Sequence, residues 1–120
     1  MKNNLLIGRW GEQIAEEFLV KQGIEILARN IRTPYGEIDI VARQGELVLF
    51  EEVKTRTNTA FGFPEDSITE LKKKHLYQNA LAYIQARPEL GDHWRIDVLS
   101  IQGKPGKGEP QIEWFINVEI

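Results

Sequence analysis

The chain predicts an α/β fold, a mixed central sheet of about five strands flanked by two main helices. Three observations lead there. Apolar residues recur at three- and four-residue intervals in two segments, one at the N-terminus and one past the middle. Alternating or continuously apolar runs of strand length lie between and after them, bounded by turns rich in Gly and Pro. Their order is helix, three strands, helix, two strands. Three consecutive strands can form an antiparallel meander, and the second helix can cross over to a parallel fourth.

From about Asn4 to Gln22, Ile7, Trp10, Ile14 and Phe18 keep helical spacing, and Gly23 is the stop. "IEILARN" follows as a short strand and "TPYG" as a turn. "EIDIVA" alternates carboxylate with aliphatic, as a strand does. "QGE" turns the chain into "LVLFEEVK", the most apolar strand. In "FGFPEDSITELKKKHLYQNALAYIQARPELG" the positions Ile68, Leu71, Leu76, Ala80, Tyr83 and Ile84 mark a helix closed by Pro88 and Gly91. Pro64, Glu65 and Asp66 suit its first turn, where a missing N–H costs nothing and acids meet the positive end of the helix dipole. "HWRIDVLSI" is the fourth strand, "GKPGKGEP" a turn-rich link and "QIEWFINV" the fifth strand.

Residues 1–120 are expected to form one domain, long enough to bury a core. Cysteine is absent, which excludes disulfides, a thiol nucleophile and thiolate metal ligands. No apolar run approaches a membrane span and "MKNNLLIGRW" does not read as a signal peptide, so the expected location is cytoplasmic, with no membrane. A net charge of −3 argues against coating nucleic acid by bulk positive charge, but not against an acidic site beside a local basic strip. His75 and His93 lack partner spacing. There is no Gly-rich phosphate loop, Ser/His/Asp set or zinc-ligand spacing.

The chemistry concentrates in "ELVLFEEVKTR", where an apolar strand ends in Glu51, Glu52, Lys54 and Arg56. With a period of two, Val48, Phe50, Glu52 and Lys54 share one face, and Leu47, Leu49, Glu51 and Val53 the other. In "GEIDIVA", Glu37 and Asp39 share a face while Ile38 and Ile40 take the opposite one. The hairpin at Gln44–Gly45 makes these strands neighbours, so Asp39 and Glu52 can project toward one point with Lys54 beside them. Two carboxylates and a main-chain carbonyl suit Mg²⁺ or Mn²⁺. On these residues alone, a cross-strand salt bridge at a strand end explains the pattern as well.

"GEIDIVA" followed by "FEEVKTR" resembles the PD-(D/E)XK nuclease core. "GRWGEQIAEEFLVKQGIEILARN" and "RIDVLSI" are similar to the YraN-like family, predicted endonucleases related to archaeal Holliday junction resolvases. The resemblance runs from about Gly8 to Ile101. It implies a restriction-endonuclease-like fold and Mg²⁺- or Mn²⁺-dependent hydrolysis of phosphodiesters in DNA, including branched, Holliday-junction-type DNA, by a homodimer. By the family pattern Asp39 and Glu52 ligate the metal with the Val53 carbonyl, Lys54 is the catalytic lysine and Glu12 is an additional acid. Arg32 and Arg56, in or beside loops flanking this site, and Lys72 of the "KKKH" run are the candidate DNA contacts. Glu51 departs from the pattern, which has an apolar residue there; solvent or a basic neighbour is expected to accommodate it. Asp97 is expected to pair with an arginine, and Trp10 and Trp114 to belong to the core. The rival reading is a catalytically silent nuclease-fold module that binds nucleic acid or serves as an adaptor. A hydrolase of small phosphoesters ranks behind both.

Overall fold

The computed structural model describes residues 2–57 and 69–118, with side chains from residue 5. The run "LVLFEEVK" lies at the centre of the sheet, as its composition requires. Helix α1 (Lys2–Lys21) leads into β1 (Glu25–Thr33), β2 (Gly36–Gln44) and β3 (Leu47–Arg56). Helix α2 (Glu70–Gln85) and a 3-10 turn at Pro88–Leu90 precede β4 (Trp94–Gln102) and β5 (Gln111–Phe115). The five strands stand in sequence order, β1-β2-β3-β4-β5. β3 and β4 are parallel and every other neighbouring pair is antiparallel. This is the mixed restriction-endonuclease-like sheet expected, with α2 as the crossover that a parallel pair demands.

The two helices cover opposite faces. Ala15 and Leu19 of α1 join Ile40, Ala42, Leu49, Leu99 and Ile101. Leu76, Ala80, Tyr83 and Ile84 of α2 join Val41, Val48, Phe50 and Val98. The alternation of Val48 and Phe50 against Leu49 along β3 follows the period of two. Trp10 and Trp114 are half-buried against the α1-side core, and Trp114 meets Phe18 edge-to-face at 5.7 Å.

Several expectations need correction. The fully buried seam of α1 is Gly11, Ala15 and Leu19, with Ile7, Trp10, Ile14 and Phe18 half-buried along its flanks. Small residues hold the seam because the helix backbone lies almost on the sheet. A Cβ on Gly11 would come within 2.9 Å of Thr55 Cβ and collide with its hydroxyl. In α2, Thr69 is the cap, accepting from Lys72 N at 3.1 Å; Pro64, Glu65, Asp66 and Ile68 lie outside the described residues. Leu71 is 63% exposed rather than a core position. It lies nine residues before Ala80, about two and a half turns, and so on the opposite side of the helix. β5 ends at Phe115, short of Val118, because Asn117 adopts a left-handed φ of 58°. Arg32 and Arg56 stand beside loops, as expected, at the ends of strands: β1 runs to Thr33 and β3 to Arg56.

The correction that matters most concerns β2. Ile38 packs on the α2 side and Ile40 on the α1 side, so they do not share a face. The strand reverses its faces at Asp39, and by the register of its neighbours Asn30, at φ 51°, stands across from it in β1. Pairing of β2 with β3 stops at Ile40↔Glu51. Beyond that point the two central strands part.

Candidate functional site

The parting of β2 and β3 makes a notch, and the sequence places its acids there. Past Glu51 the β3 backbone has no β2 ladder partner, so the Val53 amide donates instead to Asp39 Oδ2 at 2.8 Å. Glu52, only 6% exposed, reaches the same notch one residue earlier. Its Oε2 lies 3.8 Å from Lys54 Nζ and 3.1 Å from Lys72 Nζ, so lysines from β3 and α2 meet one carboxylate oxygen. Glu12 approaches from α1, where the close contact of Gly11 with Thr55 lowers the helix onto β3.

Burial pushes the Asp39 carboxyl from 3.8 up to about 8, and the neighbouring Glu52 charge adds to the effect. The Val53 N–H opposes the rise, while a hydrogen bond with Glu52 and the more distant Glu12 reinforce it. Glu12 is also raised, chiefly by burial. Its hydrogen bond to Asn30 and the Arg29 charge pull it back, and Glu37 and Glu52 push it further up.

Two open grooves flank the notch and share Gly8 and Glu12. One is lined by Gly8, Glu12, Asp39, Val53, Thr55 and Thr57. The other runs toward the β1–β2 hairpin past Gly8, Arg9, Glu12, Asn30, Arg32 and Glu37.

The structure therefore brings Asp39, Glu52, Val53, Lys54, Glu12 and Lys72 together. Arg32 stands in the adjoining groove, and Arg56 ends β3 without lining either groove among the described residues. Sequence reasoning missed Asn30, whose side chain bonds Glu12, and Arg9. The left-handed conformation of Asn30 leaves only a weak signal, the tolerance of Asn for that region. It also missed Asn79, buried in α2 and hydrogen-bonded to Thr33, where it steadies the hairpin beside the site.

Glu51 is not solvated and forms no ion pair among the described residues. It is 1% exposed, accepts from Trp114 Nε1 at 3.1 Å, and lies beside Asp97 in the parallel register. Burial and Asp97 push its carboxyl up to about 10, against the pull of Trp114 and Arg95. Its Oε2 meets no hydrogen-bond partner among the described residues, while a side-chain hydrogen bond with Asp97 adds to the upward push. Asp97 pairs with an arginine as expected, taking Arg95 Nε at 2.9 Å, and also accepts from Asn117 N at 2.7 Å.

Among the described residues no three His, Cys, Asp or Glu side chains converge as a metal cage. The donor set that is present, the half-buried Asp39 carboxyl and the buried Glu52 carboxyl beside a main-chain segment, still fits a hard divalent cation, which would relieve their repulsion.

A family profile described as "Uncharacterised protein family UPF0102" matches residues 11–101. The chain belongs to the UPF0102 family. The UPF0102 protein of Syntrophomonas wolfei is 40% identical over 106 residues, 88% of this chain and 92% of that one. Its counterpart in Desulfosudis oleivorans is 43% identical over 102 residues, 85% of this chain and 83% of that one. UPF0102 protein RHA1_ro06551 of Rhodococcus jostii is 37% identical over 116 residues, covering 94% and 95%. Among solved structures, that of Pyrococcus furiosus SfsA in complex with Ca²⁺ is similar at a TM-score of 0.45 and 19% identity, over 98% of this chain and 65% of that one. No helix among the described residues is long and apolar enough to cross a membrane.

Proposed function

We propose that this UPF0102 protein is a metal-dependent endonuclease of the PD-(D/E)XK type that hydrolyses phosphodiester bonds in DNA. The observation that carries the reading is the pairing of half-buried Asp39 with buried Glu52 in the notch between β2 and β3, with Lys54 and Lys72 on the same Glu52 oxygen. An exposed strand-end salt bridge needs none of this burial.

In this reading Asp39, Glu52 and the Val53 carbonyl hold Mg²⁺ or Mn²⁺. Such a cation, when bound, neutralises charge at a phosphoryl oxygen and acidifies water. Asp39 gives up its proton as the site fills, and its bond from the Val53 amide fixes the orientation of the carboxylate. Lys54 orients the attacking water and stabilises the charge that builds on the phosphoryl oxygens. Glu12, raised by burial, accepts a proton from that water or orients it. Lys72, Arg32 and Arg56 contact phosphates around the scissile one. Branched, Holliday-junction-type DNA is the preferred substrate, and a homodimer supplies the two sites that symmetric cuts require.

One observation favours a second reading. Two lysines already neutralise Glu52, and Lys72 lies closer than Lys54, as would suit a silent nuclease-fold module that binds nucleic acid without cutting. The test is incubation of wild type, Glu52→Gln and Lys54→Met with linear, flapped and four-way DNA in Mg²⁺, Mn²⁺ or EDTA. Metal-dependent cuts lost in both variants support the nuclease. DNA binding by the wild type with no cuts in any metal supports the silent module.

A further inference from the structure

We propose that the groove between the first half of α1 and the β1–β2 hairpin is a track for the sugar–phosphate backbone of one nucleic-acid strand, leading it into the carboxylate notch. Arg9 and Arg32 are its phosphate contacts, and Gly8 is its floor. The proposal rests on the nuclease reading and adds to it a path, a new contact in Arg9 and a reason for Gly8.

The arginines supply the first argument. Arg29, Arg43 and Arg95 are each held by an acid, at 3.4, 3.2 and 2.9 Å. Neither Arg9 nor Arg32 makes an ion pair among the described residues, yet they come from different elements to line one groove. Guanidinium groups of this kind suit planar, bidentate contact with phosphate.

Continuity supplies the second. Gly8 and Glu12 line both this groove and the one containing Asp39 and Val53, so a chain lying along α1 passes from the arginines to the carboxylates without a break. Gly8 supplies the third. Glycine inside a helix is unfavourable, and here packing does not demand it, because a Cβ at Gly8 would meet nothing within 4 Å among the described residues. The open space lies in the groove, where a polymer backbone needs close approach. Gly11, one turn on, is the contrast: its missing side chain is required by Thr55.

Glu37 also lines the groove, opposite Arg32 in register, and its charge opposes a phosphate there. That yields a test of opposite sign. Binding of the full chain to a fluorescent flapped DNA is measured by anisotropy in EDTA, across a salt series. Arg9→Ala is expected to weaken binding roughly tenfold at low salt and to flatten the log–log salt slope by about 0.7–0.9, one phosphate contact. Gly8→Leu is expected to weaken it at least as much with an unchanged Tm, and Glu37→Gln to tighten it. Arg43→Ala, on the far side of the sheet from the groove, is expected to leave binding unchanged. Wild-type affinity and slope in both Arg9→Ala and Gly8→Leu, with metal-dependent cutting intact, overturn the track and leave the nuclease reading standing. A wild type that neither binds nor cuts DNA overturns both.

Discussion

Replacing Asp39 with Asn isolates the electrostatic load at the notch. The wild-type carboxyl titrates near 8 in the folded chain against 3.8 unfolded. Between those values the folded protein holds a proton that the unfolded chain has released, so stability without metal falls as pH rises from about 4 to about 8. Linkage across pH 5 to 8.5 gives at most about 4 kcal/mol, and about 2 kcal/mol once relaxation and partial solvent access are allowed for. Asparagine keeps an oxygen for the Val53 amide and has nothing to ionise. The stability of Asp39→Asn relative to wild type is therefore expected to grow by about 2 kcal/mol over that range, or about 8 °C in Tm. Urea unfolding of both proteins in EDTA at pH 5 and 8.5 measures it, and other titrations cancel in the difference. A difference that stays constant, or shrinks with rising pH, would show that the Asp39 carboxyl is not held protonated by its surroundings.

Substitutions at Gly11, Thr55 and Glu51 test the packing that builds the site. Gly11→Ala, which at an exposed helix position would stabilise by about 1 kcal/mol, is expected to cost about 2 kcal/mol or more through its collision with Thr55, and Thr55→Gly to recover part of the loss. Chemical denaturation of the single and double variants decides it. Glu51→Gln is expected to stabilise by about 1–2 kcal/mol at pH 7. The wild-type carboxyl, pushed up to about 10, must take up a proton on folding, whereas the amide accepts from Trp114 and donates to Asp97 at no such cost. Loss of stability in Glu51→Gln would mean that Glu51 is ionised in the fold.

Much of the architecture was legible because periodicity and short turns are local signals. The hairpin at Gln44–Gly45 and the period of two in "LVLFEEVK" suffice to put Asp39 beside Glu52 and Lys54. What the pattern could not show depends on three-dimensional context. The face reversal at Asp39 belongs to the parting of β2 from β3 and to the left-handed Asn30 opposite, neither of which alternation encodes. The true seam of α1 was hidden because the large residues draw the eye, while the closest approach selects Gly11 and Ala15. Glu51 looked misplaced until Trp114 and Asp97, distant in sequence, supplied its partners. Lys72 could be named as a phosphate contact, but its place on Glu52 depends on how α2 is set against β3.

Above all, Asp39 and Glu52 are proposed to form a divalent-cation site. Calorimetric titration of Mn²⁺ into wild type and Asp39→Asn/Glu52→Gln tests it most directly. The wild type is expected to bind saturably, with proton release, and the double variant not at all. Equal binding by the two proteins, or none by either, would contradict it.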